Sequence, residues 1–385
     1  MGRVHPLNPS RIANTLALFL LASSTLASCT NVGPKSIRNS RFNYNSAIVD
    51  TRNEQLLTNL VRLRYRDTPY FIEVSSIATQ YVLGLGSSAA VGGLGGDSGG
   101  TAAGSLGGSV SYEERPTITY TPLKGQTFVS RLLSPVPMGA IVLLSNSGWR
   151  FDRLMRCCVQ RINDVWNAPT AAGPTPDLAP DYEEFAEVAR LLEDLRRAEA
   201  LDLRYRRVRP DEELETTPLG RVGSQFLLSL RIRDVPEVAT QAARLKEILD
   251  LRPDLDEFYL TSNPTHHSPR EIGISPRALI GVMNYLSQAV EPPQKDVKGG
   301  RVTLTRHRDG SEFDWPVITK EIFRVASSAT EPDNAFISVQ YRGSWFYIDD
   351  SDLNSKSTFN LLDQLFQLQS GNVAGAGPLL TLPLN

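Results

Sequence analysis

Apolar positions along this chain follow two rhythms, one helical and one alternating, and each marks its own kind of element. Over 53–65, Leu56, Leu57, Leu60, Val61 and Leu63 gather on one side of a helix. Arg62, Arg64 and Arg66 lie near its end, where cations suit the dipole, and Pro69 stops it. Helical spacing returns at 125–133, 150–166, 235–249 and 358–368. It is clearest over 182–200, with Phe185, Val188, Leu191, Leu192 and Leu195 in phase. A further helix is expected over 276–290, with Ser275 as its cap and Pro276 in its first turn. Strand patterns appear from 71 to about 121, at 201–208 and 258–261, and over 334–348, which turns at Arg342-Gly343. Leu379-Leu380-Thr381-Leu382 reads as a last strand. Strands and helices mix without a βαβ rhythm or a repeat, so the fold class is α+β. Four prolines in 168–180 (Pro169, Pro174, Pro176, Pro180) predict a linker between α+β domains at 46–167 and 181–385.

The alternation within 80–112 is of a particular kind. Asp97 is its single charge, and eleven glycines fall between Gly84 and Gly108. In the first arm Tyr81, Leu83, Leu85, Ala89 and Val91 share one face, with Gly84, Gly86, Ser88 and Ala90 on the other. In the second arm Leu106, Val110 and Tyr112 stand opposite Ser105, Gly107, Ser109 and Ser111. Gly95-Gly96-Asp97-Ser98-Gly99-Gly100 supplies turn chemistry between them. Each arm is about ten residues, the length a tilted strand needs to cross a bilayer. Alternating apolar and small residues are the pattern of a membrane barrel wall, and Tyr81 and Tyr112 fit its interfacial girdle. Two strands cannot close a barrel, so insertion would require several subunits to contribute a hairpin each. The competing reading is a glycine-rich loop or soluble hairpin, since glycine weakens strands.

The front end carries an address. Arg3 and Arg11 flank a stretch without acids, 12–22 is mostly apolar around Leu16, Leu18, Phe19, Leu20 and Leu21, and small residues follow. Spanning a bilayer takes about 20 apolar residues, so this run reads as a cleaved signal over 1–28. Leu26-Ala27-Ser28-Cys29 resembles the lipobox of bacterial lipoproteins. The resemblance implies that Cys29 is diacylglycerylated, becomes the new N-terminus and is acylated again. Thr30, where inner-membrane lipoproteins have aspartate, implies forwarding to the outer membrane, with the body in the periplasm. Acyl chains contribute about 0.8 kcal/mol per buried CH₂, so such an anchor holds firmly. Residues 29–45, polar and poor in pattern, are expected to be a tether.

Removing 28 residues from 385 leaves 357, with 38 Lys and Arg against 42 Asp and Glu. That balance, together with export, excludes a nucleic-acid role. Arg204, Arg206, Arg207 and Arg209 are followed at once by Asp211, Glu212, Glu213 and Glu215, a solvated mixture and no phosphate-binding stripe. With Cys29 lipidated, Cys157 and Cys158 remain, adjacent on a helix and poorly placed for a disulfide, so they read as core residues.

Catalytic signatures fall away on inspection. Gly96-Asp97-Ser98-Gly99-Gly100 looks like a serine-protease nucleophile motif, but the only upstream histidine is His5, inside the signal. Asp350-Ser351-Asp352 resembles the start of a calcium loop, yet Ser355 and Leu361 stand where glycine and glutamate belong; helix capping accounts for the acids. His266-His267 lacks further metal ligands, and His307 lies apart. Trp345, Phe346 and Tyr347 could form a contact surface or a core strand. No P-loop or dinucleotide fingerprint is present, and no cofactor is expected.

The sequence therefore predicts a non-enzymatic outer-membrane lipoprotein that contacts lipid through acylated Cys29. Its expected associations are with itself, as a homo-oligomer with one hairpin per subunit, or with an envelope export or surface apparatus. A monomeric periplasm-facing binding or adaptor protein is the alternative, and a hydrolase assembled from scattered residues a third.

Overall fold

The computed structural model describes residues 32–91, 104–207, 226–262 and 268–370. The chain divides into two units, 1–53 and 54–385. In the first, the described residues 32–53 are helical. The expected irregular tether is thus helix from Val32 onward, as part of α1 (Val32–Arg64). Once a helix is nucleated, propagation adds one hydrogen bond per residue fixed, and Pro34 sits in the first turn, where proline is tolerated.

In the second unit Leu56, Leu57, Leu60 and Val61 are wholly buried, as their spacing predicts. Arg66, at φ 61°, turns the chain out of the helix. Two strands follow, β1 (Ile72–Val91) and β2 (Gly104–Pro122), paired antiparallel as a two-stranded sheet. Short helices α2 (Gln126–Leu133), α3 (Met138–Asn146) and α4 (Phe151–Cys158) lead to β3 (Val159–Ile162) and β4 (Val165–Trp166). Beyond them come α5 (Glu183–Arg197), β5 (Leu201–Arg207), β6 (Phe226–Ile232), α6 (Ala239–Ile248), β7 (Glu257–Thr261) and β8 (Glu271–Pro276). Strands β3 to β8 form one six-stranded sheet in the order β4-β3-β8-β7-β6-β5, antiparallel except between β7 and β8. The chain continues through α7 (Leu279–Ser287), α8 (Gln294–Lys298), α9 (Pro316–Thr319) and β9 (Ala326–Ser328). The β10 (Ala335–Tyr341) and β11 (Ser344–Asp349) pair and α10 (Leu353–Ser370) complete it. Arg342 and Gly343, both at positive φ (49° and 71°), make the turn expected there. The fold is α+β.

Three further expectations require correction. The segment 168–180 separates no domains: strands from before it (β3, β4) and after it (β5–β8) share a sheet, and Ala168 and Ala171 within it are fully buried. The helix expected over 150–166 ends at Cys158, and β-formers Val159, Ile162 and Val165 turn it into a strand pair about Asn163 (φ 46°). Asn163 holds that turn by donating to the Leu249 carbonyl (2.6 Å) and accepting the Gly273 N–H (2.7 Å).

The third concerns Ser275 and Pro276, which end β8 and cap no helix; α7 starts only at Leu279. The cause is the intervening Arg277, 1% exposed, which is taken up by another element. Its guanidinium donates to the carbonyls of Arg156 (2.7 Å), Cys157 (3.2 Å) and Asn167, and stacks on Tyr285 at 4.1 Å. It thus caps the carbonyl end of α4, where the dipole favours a cation. Burial pulls its pKa below the ordinary arginine value.

Cys157 and Cys158 are free and buried, as expected. Burial pushes the Cys157 thiol up to about 11 and that of Cys158 higher still, which keeps both protonated and unreactive.

Candidate functional site

The ribbon β1–β2 is longer than its low-charge arms: 20 and 19 residues, extending down to Ile72 and Pro122. Its register places Leu83 opposite Tyr112, Leu85 opposite Val110 and Ala89 opposite Leu106, while Val91 meets Gly104. Directly opposed positions share a face of a ribbon. The two apolar patterns therefore fall on one side, and Gly84↔Ser111, Gly86↔Ser109 and Ser88↔Gly107 on the other. Tyr81 pairs with Glu114, so Tyr81 and Tyr112 are diagonal neighbours two residues out of step.

A bulge between Val74 and Ser76 sets the lower half in phase with the upper. Without it, Ile72 and Val74 would lie on the opposite face from Ile77, because a one-residue slip moves every later position to the other side. With it, Ile72, Val74, Ile77, Tyr81, Leu83 and Leu85 share one face of β1. Their partners include Tyr120, Ile118, Tyr112 and Val110. Glu114 is the one charged position on that face; Glu73, Arg115 and Glu113 belong to the other. By register, apolar positions of both strands favour the Tyr81 face, interrupted at Thr79↔Pro116, Glu114 and Ser87↔Gly108.

Among the described residues the ribbon's lower half is largely uncovered. Positions 113–122 are all exposed, Tyr120 to 62% and Ile118 to 40%. Among the described residues no third strand pairs with either edge. An isolated two-stranded ribbon is at best marginally stable in water, and open strand edges seek partners.

The root of the ribbon, by contrast, is fixed. Asn59 on α1 donates its amide N–H to the Tyr70 carbonyl (2.6 Å) and accepts the Tyr70 N–H (2.9 Å). One turn earlier Gln55 does the same with Ile72, at 3.2 and 2.7 Å. Four helical residues rise about 6 Å and two strand residues about 6.6 Å, so the two amides match alternate strand positions like a short ladder. Phe71 between them is buried, stacks on Phe366 and tilts against Phe128, each at 5.3 Å. Leu123 closes the other strand by donating its N–H to the Phe71 carbonyl (2.9 Å).

Just before the root, the chain is clamped to C-terminal elements. Tyr65 donates its hydroxyl to Asp296 (2.7 Å), which also pairs with Arg301 (2.6 Å). Asp67 accepts from the Tyr341 hydroxyl and from Arg342 (2.9 Å). Burial would raise both carboxyl pKa values, but these donors outweigh it and hold both below the usual carboxylate range. Carboxyls that titrate lower in the folded chain contribute stability that is complete above about pH 4 and drains away as acid protonates them. The thermal midpoint is accordingly expected to stay level from about pH 7 to 5 and to fall below about 4. Asp296→Asn should lower the midpoint at neutral pH and flatten that fall; an unchanged acid limb would remove Asp296 from the account.

The other sequence candidates resolve simply. Cys29, the Gly96–Gly100 segment and His266-His267 lie outside the described residues, as does the strand expected at 379–382. Asp352 caps α10, accepting the Ser355 N–H (3.0 Å) and hydroxyl (2.6 Å), and Asp350 holds Lys356 (2.6 Å). Among the described residues no three metal-ligating side chains cluster. Phe346 is fully buried and Trp345 and Tyr347 half-buried, so that strand contributes to the core. Among the described residues no helix is long and apolar enough to cross a membrane. The chain matches no family model, no curated protein and no solved structure.

Proposed function

We propose that this protein is a lipid-anchored, non-enzymatic component of the bacterial outer membrane that assembles with copies of itself, each lending its ribbon to a shared sheet in the bilayer. The observation that carries this reading is the ribbon itself: its apolar positions gather on one face by register, no third strand pairs with it among the described residues, and its root is bonded to α1. In lipid, every backbone N–H and C=O must be paired, and only a closed sheet of several ribbons does so. The arm from Tyr81 to Val91 spans about 36 Å at 3.3 Å per residue and about 25 Å of height when tilted near 45°, the height of a barrel's apolar band. The small residues of the opposite face would then line the interior. Acylated Cys29 would hold each copy at the membrane.

The test is the mass of the full-length protein extracted in mild detergent, by light scattering. The expected result is a particle several times the mass of one mature chain, with slow amide exchange over 81–91 and 104–112. A monomer of the mature chain whose ribbon amides exchange freely would sink the proposal. Cys29→Ser should shift the protein out of the membrane fraction when the ribbon has not yet assembled.

A further inference from the structure

The segment that resembles a linker forms one wall of a cleft of about 1190 Å³, whose other wall is the loop 306–313. The walls are fixed to each other. Leu178 and Arg306 form a parallel β-bridge, the Ala179 N–H donates to the Arg306 carbonyl (2.9 Å), and Thr305 donates to the Pro176 carbonyl (2.5 Å). The buried Trp315 donates its indole N–H to Thr305 (3.0 Å) and packs edge-on against Phe313 at 5.1 Å. Small-ligand sites run from roughly 300 to 1000 Å³, so this cleft accommodates an extended ligand of several units.

Its lining has a specific chemistry. Trp166 remains 38% exposed, yet it is held in place: Arg161 stacks on its ring at 4.6 Å and is itself fixed by Asp164 (2.6 Å) and the Asn163 carbonyl (2.6 Å). Tyr182 and Phe313, edge to face at 6.1 Å, stand in the same cleft. Asp181, Glu183 and Glu184 line it beside them, all exposed. A braced, exposed indole is an amphipathic platform kept ready for contact. An aliphatic ligand would strip water from the carboxylates and give nothing back. A sugar ring serves both, presenting C–H groups to the aromatic faces and hydroxyl donors to the acids.

We infer that this cleft binds an oligosaccharide, stacked on Trp166 and Tyr182 and hydrogen-bonded to Asp181, Glu183 and Glu184. The inference is independent of membrane assembly, since every residue named belongs to the body and none to the ribbon.

The experiment is calorimetric titration of the full-length protein in detergent with two tetrasaccharides, chitotetraose and cellotetraose. Binding of either is expected, with affinity reduced roughly tenfold in Trp166→Ala, the worth of one aromatic contact. Trp166→Phe should restore part of it, and Glu183→Gln should weaken binding without moving the thermal midpoint. The Phe variant separates a lost platform from a misfolded wall. No heat with either sugar at millimolar concentration, or equal affinity in wild type and Trp166→Ala, would overturn the assignment. Heat with a tetrapeptide alone would hand the cleft to a peptide ligand.

Discussion

Leu85→Arg is expected to dismantle the large detergent-extracted particle. Leu85 lies near the middle of the upper arm, opposite Val110, on the apolar side of the ribbon. An arginine on the lipid face near the bilayer midplane costs about 2–4 kcal/mol in a β-barrel. That is roughly 30- to 700-fold per copy, and it multiplies across the subunits of a ring. The informative control is Ser109→Asp, opposite Gly86 on the small-residue face, which should leave the particle whole because interior positions of such a sheet meet water. Light scattering and membrane flotation read both. If Leu85→Arg and Ser109→Asp behave alike, the two faces are not differently solvated and the ribbon does not lie in lipid.

Asn59→Leu is expected to destabilise the body by about 2–4 kcal/mol, because it orphans both the N–H and the carbonyl of Tyr70, each worth roughly 1–3 kcal/mol when left unpaired. Asn59 is fully buried, so water cannot replace its amide. Gln55→Leu should cost less: Gln55 is only half-buried where Asn59 is fully buried, so its bonds to Ile72 lie nearer solvent. Urea denaturation measures both. A loss below about 0.5 kcal/mol for Asn59→Leu, the range of an ordinary surface change, would mean that the amide ladder does not hold the root.

Much of the architecture was legible where a single element decides its own pattern. The apolar faces of α1 and α5, the β10–β11 turn at Arg342-Gly343 and the alternation of the upper arms all needed only local spacing. The lower ribbon hid from the same rule because the bulge at Ser75 shifts the period by one residue. Ile72 and Val74 then look out of phase with Ile77 although all three share a side. The misplaced start of α7 has a different origin: Ser275-Pro276 is a sound local cap, and it loses to Arg277, which α4 recruits from far along the chain. Counting prolines pointed to a linker at 168–180, but its carbonyls and N–H groups are spent on the loop at 305–306, a contact no window of sequence contains. The cleft was hidden for that reason. Asn59 did leave a trace, a lone amide among Leu56, Leu57, Leu60 and Val61 on an otherwise greasy stripe.

The ribbon's free edges are unlike: one belongs to β1 and the other to β2. When such pieces are laid side by side, each seam joins the first edge of one molecule to the second edge of the next, and every junction is the same head-to-tail contact. Contacts of that kind carry no number of their own; they close into a circle or run on as a filament according to the angle repeated at each step. The amides of Gln55 and Asn59 fix how each ribbon leaves its own body, so in the proposed assembly the fit between neighbouring bodies would help to set that angle and, with it, the width of any aperture.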